Sequence, residues 1–185
     1  MYPDVILLNG TGSSGKTSVA KSLQEQLNTQ YLNFSIDSVL YALPPSDLQS
    51  MIKGESIDRD GYDYANLVKG YHLCLPVLIH ANSRLIIDNA WIDKGETEAL
   101  LGILRPFDVI KIGVYCELDV ARKREKARGD RAIGLAEYEY PLVHKHMDYD
   151  LVLDTTAQTP DSAARQIIDY LSKRQRQYVP TKKMH

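Results

Sequence analysis

Gly10-Thr11-Gly12-Ser13-Ser14-Gly15-Lys16-Thr17 fits the pattern G-x-x-x-x-G-K-S/T at every fixed position. Before it stands Val5-Ile6-Leu7-Leu8, an apolar run of strand length; after it Val19, Ala20, Leu23 and Leu27 recur on one helical face. Strand, glycine-rich turn and helix form the setting in which backbone N–H groups and a helix N-terminus face a polyphosphate. Lys16 adds a mobile positive charge beside the outer phosphates, and Thr17 puts a hydroxyl where a magnesium ion binds. The stretch predicts a bound nucleoside triphosphate.

A chain of 185 residues with 44% hydrophobic content suits one α/β domain over residues 1–185, large enough for a sizeable core. The net charge of −2 gives no overall attraction to nucleic acid or an anionic membrane, so neither is expected as a partner. Met1-Tyr2-Pro3-Asp4 lacks the basic start of a signal peptide, and no apolar run is long enough to span a bilayer, which points to a cytoplasmic protein. Cys74 and Cys116 have neither metal-ligand nor redox spacing and read as reduced core thiols.

Further along, Tyr31-Leu32-Asn33-Phe34-Ser35-Ile36 alternates polar and apolar residues and reads as a second strand ending at Asp37. In an open parallel sheet, ligands gather at the carboxyl ends of the strands. Asp37 is therefore either a general base for a substrate hydroxyl or a cap on the next helix, Ser38 to Leu43, which Pro44-Pro45 should stop. Residues 46–63 read as loop or a short helix. A longer helix starts at Tyr64, with Leu67, Val68, Tyr71, Leu75 and Leu78 on one face and a kink expected at Pro76. Tyr41, Tyr62, Tyr64 and Tyr71 either line a pocket for a ring-bearing substrate or pack the core.

Arg84-Leu85-Ile86-Ile87-Asp88 is a third strand ending in an acid, the pattern of a carboxylate that holds magnesium beside a phosphate loop. Trp91 is pocket wall or core. Asp108 to Cys116 gives a fourth strand and Leu151 to Thr155 a fifth. Between them Arg122, Lys123, Arg124, Lys126, Arg128 and Arg131 gather around Gly129-Asp130. Such a run is either a solvated helix face, expected for Lys123 and Lys126, or a mobile lid over residues 122–138 that brings cations to a migrating phosphoryl group. Thr159, Pro160 and Asp161 signal the start of a final helix with Ala164, Ile167, Ile168 and Leu171 inward. Residues 174–185 form a polar tail that frays or makes a subunit contact in a homo-oligomer.

These features resemble the chloramphenicol phosphotransferase family of small P-loop kinases. The likeness is carried by Val5 to Asn9 leading into the loop, Ser35-Ile36-Asp37-Ser38, Ile86-Ile87-Asp88, Ala127-Arg128-Gly129-Asp130-Arg131 and Tyr149 to Thr156. It implies a P-loop NTPase α/β fold of the nucleotide-kinase kind, a three-layer sandwich with a five-stranded parallel sheet between helices. It implies ATP with Mg2+ and phosphate transfer to a hydroxyl of a small molecule, chloramphenicol or a related antibiotic among them. By motif position it makes Asp37 the base, Arg128 and Arg131 the lid arginines, and Thr17 and Asp88 the magnesium residues. The chain departs from the family between Thr11 and Ser14, at Asn89, and most of all over residues 38–71, where an acceptor would bind. A kinase for a nucleoside, sugar or sugar acid, or a nucleotide-binding switch, is the alternative reading.

Overall fold

A computed structural model describes residues 2–128 and 132–177 of the chain. Its centre is β1 (Val5–Asn9), five residues that are all buried because helices cover both faces of the sheet around it. The other strands are β2 (Leu32–Asn33), β3 (Leu85–Asn89), β4 (Val109–Tyr115) and β5 (Leu151–Asp154). All pair in parallel, in the order β2-β3-β1-β4-β5. Alternation along the strands divides the core in two. Ile6, Leu8, Ile86, Ile112 and Val114 face α1 (Lys16–Gln26) and α8 (Pro160–Gln177). Val5, Leu7, Leu85 and Ile87 face α4 (Tyr64–His80) and α5 (Lys94–Leu104). This is the expected P-loop α/β sandwich with a five-stranded parallel sheet.

The remaining helices among the described residues are α2 (Ile36–Leu40), α3 (Pro45–Lys53), α6 (Leu118–Arg128) and α7 (Leu135–Glu139). The expected second strand is cut to two residues. Phe34 donates its N–H to Ile86 O, but Ser35 is the N-cap of α2, so Ile36 is buried from a helix rather than from a strand. Asp37 thus lies in the first turn of α2. Pro45 starts α3 instead of stopping a helix, because proline's fixed φ and missing N–H suit the first helical position. Helix α4 continues through Pro76, and Asp63 caps its start by accepting the N–H groups of Ala65 and Asn66. Thr159 caps α8 as expected, its Oγ1 accepting the Ser162 N–H at 3.2 Å.

The reading of both cysteines as core thiols is corrected, and the alternative left open at Tyr71 is decided. Cys74 lies on the exposed outer side of α4 while Cys116 is buried, so only one of the two thiols is a core residue. Tyr71 is fully buried against Phe34 and donates its hydroxyl to Phe34 O at 3.1 Å, which makes it core and not pocket wall. Trp91 is likewise core.

Gly113, in β4, faces the ring of Tyr149: a Cβ there would lie 2.7 Å from Cδ2 and 3.0 Å from Cγ, too close for any side-chain carbon. Gly113→Ala should lower stability by about 1–3 kcal/mol, read as a fall in the thermal midpoint with the native fold retained.

Candidate active site

The parallel register brings the carboxyl ends of β1, β3 and β4 together, with Asn9 beside Asn89 on one side and Gly113 on the other. The phosphate loop leaves β1 at Gly10, whose missing side chain is required: a Cβ would sit 2.2 Å from Val114 O. Gly15 turns the chain into α1 with φ 96°, a left-handed conformation natural to glycine, and Ser13 holds φ 59°. Ser14 O accepts the Thr155 hydroxyl at 2.5 Å, so the loop is fastened to the end of β5. Lys16 is 7% exposed, and its Nζ donates to Gly10 O and Thr11 O, each at 2.7 Å.

Gly12, Ser13, Gly15, Lys16, Thr17, Asp37, Asp88 and Arg128 border one cavity. Gly10, Thr11 and Ser14 complete the loop behind it. Thr17 Oγ1 donates to Asp88 Oδ2 at 2.9 Å, placing a hydroxyl oxygen and a carboxylate oxygen side by side. Hard oxygen donors of this kind suit a magnesium ion. Ser13 and Ser14 each bury a hydroxyl oxygen that makes no hydrogen bond within the protein, in a loop whose geometry is made for anions. Arg131 lies outside the described residues.

Asn9, Glu125 and Glu139 make bonds at this site that no sequence motif announced, whereas Arg124 belongs to the basic run. Asn9 Nδ2 donates to Val143 O and to the Tyr149 hydroxyl, both at 2.8 Å, and Asn9 Oδ1 accepts the Trp91 N–H at 3.0 Å. One amide thereby ties the end of β1 to three other segments. Arg124 points inward, its Nη2 donating to Thr155 O at 2.8 Å, while Lys123 and Lys126 are exposed as expected. Glu125 is buried and accepts the N–H groups of Gly134 and Ala136 at 2.8 and 2.9 Å, which fixes the start of α7 onto α6. At the other end of α7, Glu139 Oε2 accepts the Gly12 N–H at 2.5 Å.

Ile36, Asp37, Asn89 and Glu139 also border a second cavity of about 400 Å³. Its other walls include Tyr41, Tyr62 and Tyr64 with Leu48, Met51 and Ile52 of α3. Three of the four tyrosines singled out in the sequence therefore share a pocket. Asp47 and Arg59 brace this wall with bonds of 2.5 and 3.0 Å, and the guanidinium holds the Asp47 carboxyl below the usual carboxylate range. A third cavity, of about 420 Å³, lies across the loop between Arg124, Gln158 and Pro160.

A family model described as chloramphenicol phosphotransferase-like protein matches residues 3–172. The chain belongs to the chloramphenicol phosphotransferase-like family. A curated relative in Mycobacterium tuberculosis (strain H37Rv), named "Putative O-phosphotransferase", is 30% identical over 183 residues, spanning 88% of this chain and 80% of its own. Among solved structures, a sugar kinase from Janibacter sp. superposes with a TM-score of 0.68 at 16% identity, covering 91% of this chain and 94% of its own. A Mycobacterium tuberculosis APS kinase bound to AMPPNP and APS gives 0.67 at 15% identity, covering 92% and 98%. An Acinetobacter baumannii shikimate kinase with shikimate gives 0.60 at 15%, covering 94% and 95%. These likenesses establish that this family member has the fold of P-loop kinases. No helix among the described residues is long and apolar enough to cross a membrane.

His144 stacks on Tyr115 at 3.7 Å between ring centroids and lies 2.7 Å from the Tyr149 hydroxyl through Nδ1. Burial, aided by the charge of Lys16, lowers its pKa to about 4, so the folded protein keeps this ring neutral and able to accept the Tyr149 proton. In the unfolded chain the His144 imidazole takes up a proton from solvent near the ordinary value of about 6.5, so this contribution to stability is full above that pH and falls as pH drops toward 4. His144→Phe should flatten the loss of thermal stability between about pH 6.5 and 4 relative to the unaltered protein, as paired melts across that range would register.

Proposed function

We propose that this chain is an ATP-dependent kinase that transfers the γ-phosphate to a hydroxyl of a small molecule. The observation that carries the reading is a shared wall: the cavity bordered by the phosphate loop, Asp88 and Arg128 and the tyrosine-lined one both have Asp37 in their lining. A donor phosphate and an acceptor hydroxyl entering from opposite sides would meet at that carboxylate.

In this mechanism the backbone N–H groups of residues 10–17 and Lys16 hold the β- and γ-phosphates. Thr17 and Asp88 would hold Mg2+, which neutralises charge on the phosphate oxygens when bound. Asp37 accepts the acceptor's proton as its oxygen forms a bond to the γ-phosphorus and the bond to the β-phosphate oxygen breaks, leaving ADP. Arg128, with Arg131 as the second lid arginine, spreads the charge on the migrating group. The cavity beside Arg124 and Gln158, on the far side of the loop, has room for the nucleoside. An enzyme that uses ATP works where ATP is made available, so a cytoplasmic setting goes with this reading.

The apolar and aromatic wall favours an acceptor with a flat ring or hydrocarbon face, and chloramphenicol or a related antibiotic is the first candidate. Nucleosides and sugars are the next; a sugar acid has two carboxylates, Asp37 and Glu139, to contend with.

A panel of hydroxyl compounds assayed for ADP release and for phosphorylated product tests the reading. Lys16→Ala should abolish turnover and weaken ATP binding; ordinary phosphotransfer by that variant would remove the phosphate-site assignment. Asp37→Asn should lower kcat by about 10²–10⁴-fold with ATP affinity little changed, and undiminished turnover would remove the base assignment.

A further inference from the structure

We propose that the outward face of α4 and α5 docks on the same face of a second copy of this chain, giving a two-fold symmetric dimer. Neither the contact nor its test requires the kinase reading.

Helices α4 and α5 lie over one side of the sheet and share its core. The face they turn away from that core is poor in charge. Leu73 and Val77 are 55% and 67% exposed, and Cys74 and Ala99 beside them are exposed as well. Ala65, Lys69, Leu73 and Val77 recur at every fourth position and make a ridge along α4; the neighbouring row, Asn66, Gly70 and Cys74, is small and makes a furrow. A ridge and a furrow on one surface are what a patch needs to pack against itself across a two-fold axis.

Two glycines have no reason within the chain. Gly70 and Gly102 lie inside helices, where glycine is unfavourable, and a Cβ at either would meet nothing within 4 Å. Close approach by an outside surface accounts for both.

A groove of about 510 Å³ runs between the helices, walled by Ala65, Leu73, Ala99 and Ile103. His72 is also in its lining. That side chain is 5% exposed, and its Nε2 makes no hydrogen bond within the protein and stands 3.9 Å from Glu96 Oε1, beyond bonding distance. Buried polar atoms are nearly always bonded, so an unpartnered nitrogen here points to a surface that is completed from outside.

Charge favours a second copy as the occupant. Lys69 and Glu96 give the groove one cation and one anion, so when the face is turned on itself the cation of each copy can meet the anion of the other. Burial pushes the Glu96 carboxyl up, and an approaching ammonium relieves that. A nucleic acid or an anionic membrane would be matched by only one of the two signs. With 17 and 11 residues, the helices are about 25 and 16 Å long and about 10 Å apart, so the face covers roughly 500 Å² per copy. Doubled, that is about 1,000 Å², the low end for a specific interface, and the dimer is expected to form in the micromolar range.

Sedimentation velocity on the purified chain from about 1 to about 200 µM tests this, with monomer expected at the dilute end and dimer at the concentrated one. Leu73→Glu sets like charges face to face and should raise the dimer dissociation constant at least about 30-fold. Leu73 borders neither the phosphate-loop cavity nor the tyrosine-lined one, so ATP binding by this variant should stay within about threefold of normal. Gly70→Gln fills the furrow: it should weaken the dimer by a similar factor while raising the thermal midpoint of dilute protein, a pair of opposite effects that a glycine needed for the fold would not give. Cys74 is the exposed one of the two thiols, so a flexible bismaleimide should join two unaltered chains through it, with the yield at least about tenfold lower in Leu73→Glu. A chain that stays monomeric throughout the series overturns the proposal. So does a dimer that both substitutions leave intact, or an equal cross-linking yield with and without Leu73→Glu.

Discussion

Between Gly10 and the carbonyl of Val114 there is no room for a side chain: 2.2 Å separates that oxygen from the place a Cβ would occupy. The loop can lie this close to β4 only because its first residue is glycine, and much else at the site depends on that closeness. It brings Ser14 O within reach of the Thr155 hydroxyl on the next strand over. It sets Thr17, one turn later, against Asp88 of β3. Three strand ends thus contribute to one anion-directed concavity, as expected where an open parallel sheet gathers ligands at its carboxyl edge.

Positive charge near this concavity is divided by task. Arg124 is turned into the structure, joining α6 to the β5 end, whereas Arg128 reaches the cavity itself. Arg122 pairs with Asp119 on its own helix and with Glu137 on α7. Together with the buried Glu125, these contacts make α6 and α7 a braced pair that holds a carboxylate as well as an arginine at the rim of the site. A basic run in the sequence has become a scaffold in which only some of the charge faces the ligand.

Strands β1 and β3 were legible because each is a short apolar run next to turn residues, and burial on both faces leaves no polar alternation to misread. The loop and α1 were legible because the motif fixes its own backbone. Legibility failed where a residue's task is set by distant parts of the chain. Asp37 could be placed near the site, but the alternation over residues 31–36 concealed that Ser35 ends the strand and Ile36 opens a helix. Tyr71 carries the same chemistry as Tyr62 and Tyr64, yet helical phase turns it into the core. Helices α5 and α7 were not anticipated, and nothing local to Glu139 announces a partner 127 positions earlier. Asn9 is similar: its three bonds go to segments 82 to 140 residues away.

The wall formed by α3 and the turn after it is braced from within, since Asp47 and Arg59 belong to the same excursion between β2 and α4. The loop, Asp88 and the arginines do not depend on that pair. Under the kinase reading, such a division would let the acceptor wall change by exchange within residues 41–62 while the phosphate loop stays as it is.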